Sequence, residues 1–355
     1  MLLLKPRLLR SLAWGLAAVT LAGPVAAIPD APLPTDAATA EPATADAPPT
    51  VPLLNFTDTS IDFLRLGADD GDRMTLPVEI GQGGPYPFII DTGSHRSIVA
   101  TELADRLSLQ ALPPVEIVSM AGRETVAAVH LDRIQFGSQV ISNLPVLSIA
   151  HEALGSAGLI GLDGLKNKRL TLDFKKRQLA IGKSSPAAFE TYDRNTIVVQ
   201  AKTKLGQLIL VNSKIDGKKV NIILDTGAEI SVGNMALFNS LKLKKLVAPP
   251  TKVQIKSVTG QSIDAQFAVV RHIQIDSVNL DNVPMVFLDA APFAELDLAE
   301  KPSMLLGMRM LRMFDRIAID FGNRHVDFEL PQGSQTNNSD RQLAFSSGAG
   351  MITRR

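Results

Sequence analysis

The sequence has no cysteine, only one tryptophan and no excess of charge of either sign. Without cysteine the chain cannot form a disulfide, a thiolate zinc site, a cysteine nucleophile or a lipid-bearing N-terminal cysteine. Its 36 Lys and Arg residues equal its 36 Asp and Glu residues in number, so net charge does not point to nucleic acid or an anionic membrane as a partner. The histidines lack metal-ligand spacing. We therefore expect no nucleic-acid partner and no metal site.

The first 27 residues have the pattern of a secretory signal peptide. Lys5, Arg7 and Arg10 precede an apolar stretch over 11–22, and small residues lead to a cleavage position after Ala27. The apolar stretch is short for a transmembrane helix. We expect a periplasmic or secreted protein without stable membrane insertion, and an uncleaved inner-membrane anchor is the alternative.

The segments next to the two ends of the chain have compositions that do not favour folding. Residues 28–57 are rich in Ala, Pro, Thr and Asp and are predicted to form a disordered tether. A propeptide over 28–66 is the alternative that the sequence leaves open. Residues 331–355 are rich in Ser, Asn and Gly and are predicted to be a disordered tail.

The tripeptide Asp-Thr-Gly occurs at 91–93 and again at 225–227, each time directly after a short apolar run, 88–90 and 222–224. Each apolar run is typical of a buried strand. The glycine after each aspartate would allow another backbone to approach closely. If two halves of the chain were related by a two-fold arrangement, the two carboxyl groups would meet face to face.

Further similarities follow both tripeptides in the same order, at offsets that drift slowly from 134 residues for the aspartates to larger values downstream. Such order at a nearly constant spacing indicates an internal duplication of about 125 residues. The matched pairs are Gly122 with Gly260, Asn143 with Asn282, Gly161 with Gly307, and Asp173 with Asp320.

These motifs resemble those of the retropepsin-like aspartic proteases. In that family the Asp-Thr-Gly-Ser/Ala loop is followed by a hairpin flap and then by two apolar residues and Gly. Here the first copy has Leu-Ile-Gly at 159–161 and the second has Leu-Leu-Gly at 305–307. The resemblance covers about 70–330. It implies an all-β fold of two retropepsin-like lobes with pseudo-two-fold symmetry and a cleft between them, all in one chain, and hence a monomer.

The resemblance also implies residue roles. Asp91 and Asp225 would be the catalytic pair, acting on a polypeptide substrate without a cofactor. Thr92 and Thr226 would cross-bond the two loops, and Gly93 and Gly227 would let the loops meet. Gly122 and Gly260, in the flap hairpins at 120–123 and 258–261, would contact substrate. The residues with a predicted supporting or binding role are Thr92, Gly93, Ser94, Thr226, Gly227, Ala228, His95, Arg96, Glu229, Gly122 and Gly260.

Two carboxyl groups about 3 Å apart cannot both ionise easily, so the pair would hold one proton. One member would then be base and the other acid for the attack of water on a peptide bond. The predicted activity is therefore that of an aspartic endopeptidase. A catalytically inactive peptide-binding scaffold of the same fold is the alternative.

The two copies differ directly after the glycine, with Ser94, His95 and Arg96 in the first and Ala228 and Glu229 in the second. His95, Arg96 and Glu229 would make an asymmetric cleft, or they belong to solvated loops. We further hypothesise that the Ser94 hydroxyl hydrogen-bonds to Asp91. That bond would make Asp91 the more readily ionised aspartate and place the activity maximum at mildly acidic pH.

Strand-type patterns predict the lobe boundaries. Alternating apolar residues favour hairpins over 169–181 and 316–328, and short helices are expected over 101–107, over 235–241 and after each apolar-apolar-Gly. We predict an N-terminal lobe over 58–183, a linker over 184–196 and a C-terminal lobe over 197–330. Asp163 is expected to be structural, and Asp173 and Asp320 to lie in hairpin turns or at the surface.

A phosphate loop of an actin-like ATPase would also contain Asp-x-Gly-Ser, as at 91–94. Such proteins have more helix, and the second copy has Ala228 where that pattern needs Ser or Thr. The strand-rich repeats and the predicted export signal also argue against this class.

Overall fold

The computed structural model describes residues 17–18, 62–65, 67–68, 73–184, 195–241, 246–332, 336–337 and 340–344. The predicted tether, most of the signal peptide and most of the linker lie outside the described residues.

The described chain is mostly β. Its strands are β1 (Ala17–Ala18), β2 (Asp62–Arg65), β3 (Gly67–Ala68), β4 (Met74–Ile80), β5 (Gly83–Ile90), β6 (Ile98–Ala100), β7 (Gln110–Ser119), β8 (Gly122–Phe136), β9 (Gln139–Ile149), β10 (Gly158–Ile160), β11 (Lys168–Asp173), β12 (Gln178–Lys183), β13 (Thr196–Lys204), β14 (Gln207–Leu210), β15 (Ser213–Ile215), β16 (Lys218–Lys219), β17 (Asn221–Leu224), β18 (Ser231–Gly233), β19 (Thr251–Ser257), β20 (Ser262–Ile275), β21 (Val278–Phe287), β22 (Ser303–Leu306), β23 (Arg316–Asp320), β24 (His325–Glu329), β25 (Thr336–Asn337) and β26 (Asp340–Ala344).

The helices are short. They are α1 (Thr101–Arg106), α2 (His151–Leu154), α3 (Leu162–Leu165), α4 (Met235–Ser240), α5 (Ala291–Glu295) and α6 (Met308–Leu311). The helices predicted at 101–107, at 235–241 and after each apolar-apolar-Gly are confirmed. Asn234 caps α4, because its side-chain oxygen accepts a hydrogen bond from the Leu237 N–H. Among the described residues no helix is long and apolar enough to cross a membrane.

The two lobes repeat one order of strand pairing, which confirms the two-lobed all-β fold. In the N-terminal lobe the order is β5–β10–β6–β9–β8–β7. In the C-terminal lobe it is β17–β22–β18–β21–β20–β19. In both lobes the strand before the aspartate lies parallel to the strand that ends before the apolar-apolar-Gly glycine. The duplication seen in the sequence is therefore a duplication of topology.

A third sheet joins the lobes, in the order β2–β12–β11–β23–β24–β13. It contains both predicted hairpins. At its centre Thr171 pairs with Ala318, and these two residues are also equivalent in the duplication. The pseudo-two-fold axis therefore passes between Thr171 and Ala318, and the buried side chains of Leu170 and Ile319 pack beside it.

The predicted surface role of Asp320 is wrong, although its hairpin-turn role is confirmed. Asp320 accepts a hydrogen bond from the Asn323 N–H (2.8 Å) in the turn, but it is only 1% exposed. Its carboxylate lies 3.7 Å from the guanidinium of Arg169 in the other lobe, which also binds Asp327 at 2.8 Å. Because the shared sheet covers the second turn, this aspartate joins an ion-pair network between lobes.

Residues outside the two lobes also form short strands. Strand β26 lies within the tail predicted to be disordered, and it pairs in parallel with the first part of β21. This part of β21 is not covered by β18, because β18 pairs only with residues 285–287 of β21. The structure differs from the prediction here because backbone pairing to this strand edge does not require an apolar sequence. At the other end of the chain, β1 pairs with the end of β19.

Candidate active site

The two aspartates follow directly after the central strands of their lobes. β5 ends at Ile90 and β17 at Leu224, and the preceding side chains Ile89 and Ile223 are fully buried. Each aspartate is held by the neighbouring parallel strand. The Asp91 N–H donates to the Ile160 carbonyl (3.0 Å), and the Asp225 N–H donates to the Leu306 carbonyl (3.1 Å). The extended strands thus direct both loops to the boundary between the lobes.

Each loop folds back onto its own carboxylate. Oδ1 of Asp91 accepts hydrogen bonds from the N–H groups of Gly93 (2.7 Å) and Ser94 (3.0 Å). In the second lobe, Oδ1 of Asp225 accepts from the two residues at the same places, 227 and 228, both at 3.0 Å. These matched bonds fix the orientation of the carboxyl groups and favour the charged form of each.

Gly93 and Gly227 bring the two carboxyl groups together. A Cβ atom at Gly93 would lie 2.6 Å from Cγ of Asp225, and one at Gly227 would lie 2.2 Å from Cγ of Asp91. Both distances are far below van der Waals contact. Each glycine therefore lies against the carboxyl group of the opposite lobe, and any side chain there would displace it.

Thr92 and Thr226 connect the loops by exchanging hydrogen bonds. Thr92 N–H donates to Oγ1 of Thr226 (3.0 Å), and Thr226 N–H donates to Oγ1 of Thr92 (3.2 Å). Each hydroxyl in turn donates to a backbone carbonyl of the other lobe, Thr92 to Leu224 (2.9 Å) and Thr226 to Ile90 (2.6 Å). Four buried hydrogen bonds thus hold the loops in register.

The glycines of the apolar-apolar-Gly motifs pack behind the loops. Gly161 N–H donates to Oγ of Ser97, and Gly307 N–H donates to Oγ of Ser231, both at 3.1 Å. A Cβ at Gly161 would lie 2.6 Å from the backbone carbon of Arg96. Only glycine fits this approach, so the motif supports the loop from behind.

Burial dominates the electrostatics of Asp91, which is 1% exposed. Burial raises its pKa well above the ordinary value, and the negative charge of Asp225 raises it further. The hydrogen bonds from Gly93 and Ser94 only partly oppose this rise. Asp91 therefore ionises less readily than a free aspartate.

Asp225 has the weaker shift. Burial raises its pKa, but the N–H groups of Ala228 and Gly227, a hydrogen bond with Asp91 and the positive charge of Arg73 oppose the rise. Each carboxyl group is close enough to affect the ionisation of the other. Two carboxyl groups this close cannot both ionise easily, so the pair favours a form with one proton.

The hypothesis that Ser94 makes Asp91 the more acidic aspartate is wrong. The Ser94 hydroxyl donates to the carbonyl oxygen of Arg96 at 2.8 Å, and only its backbone N–H reaches Asp91. Ala228 supplies the same backbone bond to Asp225. The difference between the serine and the alanine therefore does not reach the carboxyl groups.

The first loop is anchored on its outer side by Asp163, whose carboxylate accepts hydrogen bonds from the Ser97 N–H (2.9 Å) and the Ser97 hydroxyl (2.6 Å). The expected structural role of Asp163 is confirmed.

Next to Asp163, the His95 ring hydrogen-bonds to the Leu205 carbonyl of the C-terminal lobe. His95 is thus part of a contact between lobes, and burial lowers its pKa. Arg96 is half-buried and close enough for its charge to act on Asp163.

The second loop has an ion pair of reversed polarity at the equivalent place. Glu229 accepts a hydrogen bond from Arg309 at 2.9 Å, whereas the first lobe has His95 and Asp163. Glu229 therefore already has a partner beside the second loop. The sequence showed that the two loops differ in residue type. It did not show that Glu229 pairs with Arg309, which follows the second apolar-apolar-Gly motif.

The tip of each flap hairpin packs against the other lobe. Met120, at the tip of the β7–β8 hairpin, packs in an apolar cluster with C-terminal-lobe residues such as Ile223. Val258, after β19, packs with N-terminal-lobe residues such as Ile117. Both tips are buried, at 4% and 1% exposure. This closed arrangement explains why the aspartates are buried.

Polar contacts also join the flaps. Oε1 of Glu124 in the first flap accepts a hydrogen bond from the Thr259 hydroxyl of the second at 2.9 Å. Arg123 forms an ion pair with Glu295 of the C-terminal lobe. Gly122 and Gly260 lie in the two flap turns, with φ of 133° and 84°, and nothing lies within 4 Å of a Cβ built on either. Their positive φ values explain why glycine occurs at both turns.

An open groove of about 720 Å³ lies elsewhere, on the C-terminal lobe, and Met235, Val253 and Phe287 are among its lining residues. Neither aspartate lines this groove. The closed flaps, rather than this groove, mark the candidate active site. The described residues contain no group of three or more His, Asp or Glu side chains arranged to hold a metal ion.

Sequence reasoning missed two buried side chains near the loops, Arg73 and Gln207. Gln207 Nε2 donates to the Gly93 carbonyl across the lobe boundary at 2.8 Å, and the charge of Arg73 acts on Asp225. The sequence did contain a signal for their equivalence, because Arg73 and Gln207 are separated by the same 134 residues as the two active-site threonines. The two residue types differ, however, so the equivalence was not apparent from sequence alone.

Two lobes with the same strand order, each contributing an aspartate to a buried pair beneath paired hairpins, define the class of acid proteases. The chain belongs to the aspartyl protease family, and specifically to its retropepsin-like type. The family profile matches residues 76–163 and again residues 211–310, which together are more than half of the chain. Each match includes one Asp-Thr-Gly and one apolar-apolar-Gly motif. No curated protein matches the chain.

Proposed function

We propose that this protein is an aspartic endopeptidase that hydrolyses peptide bonds with water activated between Asp91 and Asp225. One observation carries the proposal: two buried carboxyl groups, one from each lobe, each lie against the active-site loop of the other lobe and are held by matched backbone bonds. A pair of this kind combines a base and an acid at one point.

In the proposed reaction the ionised carboxylate takes a proton from water while the water oxygen bonds to the peptide carbonyl carbon. The protonated carboxyl group donates a hydrogen bond to the oxygen that becomes negative. When the C–N bond breaks, a proton from the pair passes to the leaving nitrogen. Water is thereby divided between the two products, and the pair returns to its singly protonated form. Neither a metal nor an organic cofactor takes part.

The substrate class follows from the family and the flaps. An aspartyl protease acts on polypeptides, and here two hairpins cover the aspartates, so a substrate must enter as an extended segment when the hairpins separate. Separation would withdraw Met120 and Val258 from their apolar clusters. Closure over the substrate would then exclude water other than the reacting molecule.

The test is cleavage of an unstructured polypeptide by the purified protein and by Asp91→Asn and Asp225→Asn. Each substitution should reduce kcat by at least about 10²-fold, since each removes one acid–base group. Asp132→Asn is the matched control, because that side chain is 96% exposed, and it should keep full activity.

Two results would contradict the proposal. Equal residual cleavage by wild type and both active-site variants would show that another protease is responsible. Peptide binding without any cleavage by folded wild-type protein would instead support the inactive peptide-binding scaffold.

We also propose that the protein is exported to the periplasm and acts as a monomer. The N-terminal signal pattern supports export, and the presence of both aspartates in one chain supports a complete site without a second subunit. Cell fractionation and the N-terminal sequence of the mature protein test export, with Ile28 expected as the first residue. Mature protein that begins near residue 66 would instead indicate a propeptide. Sedimentation at micromolar concentration tests the monomer.

A further inference from the structure

Arg73 and Gln207 occupy equivalent places in the two lobes. Each lies two residues before a residue that pairs with the active-site strand, Thr75 on β4 and Ile209 on β14. Arg73 and Gln207 are separated by the same 134 residues as the active-site threonines. The duplication has therefore placed a cation in one lobe and a neutral amide in the other.

In the C-terminal lobe the side chain at this place reaches the active-site loop of the opposite lobe. Gln207, 1% exposed, belongs to the C-terminal lobe and donates to the Gly93 carbonyl of the N-terminal lobe at 2.8 Å. Arg73, at the equivalent place, is 4% exposed, and its charge acts on Asp225. Its Nη2 donates to the Leu154 carbonyl at 2.7 Å, which restrains the guanidinium.

The other contacts of the aspartates do not distinguish them. Each carboxylate accepts two backbone N–H bonds of similar length, and the Ser94 hydroxyl is bonded elsewhere. The charged groups beside the loops form their own contacts. In the first lobe they are His95, Arg96 and Asp163, and in the second they are Glu229 and Arg309. The charge at Arg73, absent at Gln207, is a difference between the lobes that acts on Asp225.

We propose, on the basis of the peptidase function above, that Arg73 is a positioning residue for the shared proton. Its buried guanidinium keeps Asp225 as the ionised base and leaves the proton on Asp91, which acts as the acid. Gln207 holds the first loop in the same way but adds no charge, so it does not compete for the proton. The roles of base and acid are therefore fixed within an otherwise symmetrical pair.

The electrostatics agree with this assignment. Burial raises the pKa of both aspartates, and for Asp225 the positive charge of Arg73 is among the groups that oppose the rise. For Asp91 the Asp225 charge adds to the effect of burial. A nearby cation favours the ionised form of a carboxyl group.

Three variants test the proposal through the pH profile of kcat/KM, whose acidic limb reports ionisation of the base in the free enzyme. Arg73→Gln removes the charge and makes the two places identical, and it should move the acidic limb upward by about one pH unit. Arg73→Lys keeps the charge and should leave the limb within about 0.3 pH unit of wild type. Gln207→Met removes the equivalent loop contact without a change of charge, and its limb should also stay in place.

An unmoved limb in Arg73→Gln, or an equal shift in Gln207→Met, would overturn the proposal, because a purely structural role lowers activity without moving the limb.

If Arg73→Gln does not fold, or if folded wild type cleaves nothing, the carboxyl groups are titrated directly by ¹³C NMR in wild type and Arg73→Lys. Resonances are assigned with Asp91→Asn and Asp225→Asn. Asp225 should ionise first, and earlier ionisation of Asp91 would refute the inference independently of peptidase activity.

Discussion

The hydrogen bonds between Thr92 and Thr226 should contribute strongly to the association of the lobes, and Thr92→Val measures this contribution. Valine keeps the shape of threonine but lacks Oγ1. The variant therefore loses the bond from Thr92 to the Leu224 carbonyl (2.9 Å) and the bond from the Thr226 N–H (3.2 Å). Thr92 and Thr226 are 2% and 3% exposed, so no solvent replaces the lost partners.

The magnitude follows from these two bonds. A typical hydrogen bond contributes about 0.5–1.5 kcal/mol net, and each buried group left without a partner costs about 1–3 kcal/mol. These contributions overlap, since the second includes the loss of the first. We expect the free energy of unfolding to fall by about 2–4 kcal/mol. Because the loop carrying Asp91 would also shift, kcat should fall by about 10²-fold.

Urea unfolding of wild type, Thr92→Val and Thr92→Ser at one pH provides the measurement. Serine retains the hydroxyl and both bonds, so Thr92→Ser should lose no more than about 1 kcal/mol, mainly through the missing methyl group. Equal stabilities of the valine and serine variants would refute the reasoning, since valine lacks only the hydroxyl and serine lacks only the methyl group.

Three further predictions concern the same site. Gly227→Ala should reduce kcat by about 10²-fold, because its Cβ would lie 2.2 Å from Cγ of Asp91; Gly81→Ala, where nothing lies within 4 Å, is the control and should retain kcat despite its strained φ of 59°. Asp91→Asn should raise the melting temperature at neutral pH. Burial raises the pKa of Asp91, so the stability that this carboxyl group contributes is present below its unfolded pKa and lost as pH rises through its folded pKa. The increase in melting temperature of Asp91→Asn should therefore disappear below about pH 3.9. An increase that persists at that pH would contradict the argument. Glu124→Gln should speed amide exchange in both flap turns by about tenfold, because it weakens the charged bond from Thr259; unchanged exchange by mass spectrometry would show that the apolar tips alone hold the flaps closed.

Much of the fold was predictable from the sequence because each signal was local and occurred twice. The two Asp-Thr-Gly tripeptides, the hairpins over 169–181 and 316–328 and the short helices all depend on residues close together in the chain. The duplication then supplied the long-range information, since equivalent segments must adopt equivalent structure. The two lobes and the positions of their loops follow from these facts.

Other features depended on contacts that no local pattern encodes. The Ser94 hydroxyl was expected to bond to Asp91, but the loop geometry directs it to the Arg96 carbonyl. Asp320 lies at a hairpin turn, where exposure is usual, but the sheet between the lobes buries it next to Arg169. Residues 340–344 have a polar composition, yet an uncovered strand edge orders them.

The sequence alone determined that this protein has two equivalent β lobes, each with an aspartate after a buried strand, because strand periodicity and a repeated motif are properties of the chain itself. Only the tertiary structure decided what surrounds the two aspartates. Their loops are almost identical in backbone bonding, whereas the equivalent places beside them hold a cation, Arg73, in one lobe and a neutral amide, Gln207, in the other. Electrostatic interactions depend on distance in space, so the environment of the pair is set only when the lobes meet.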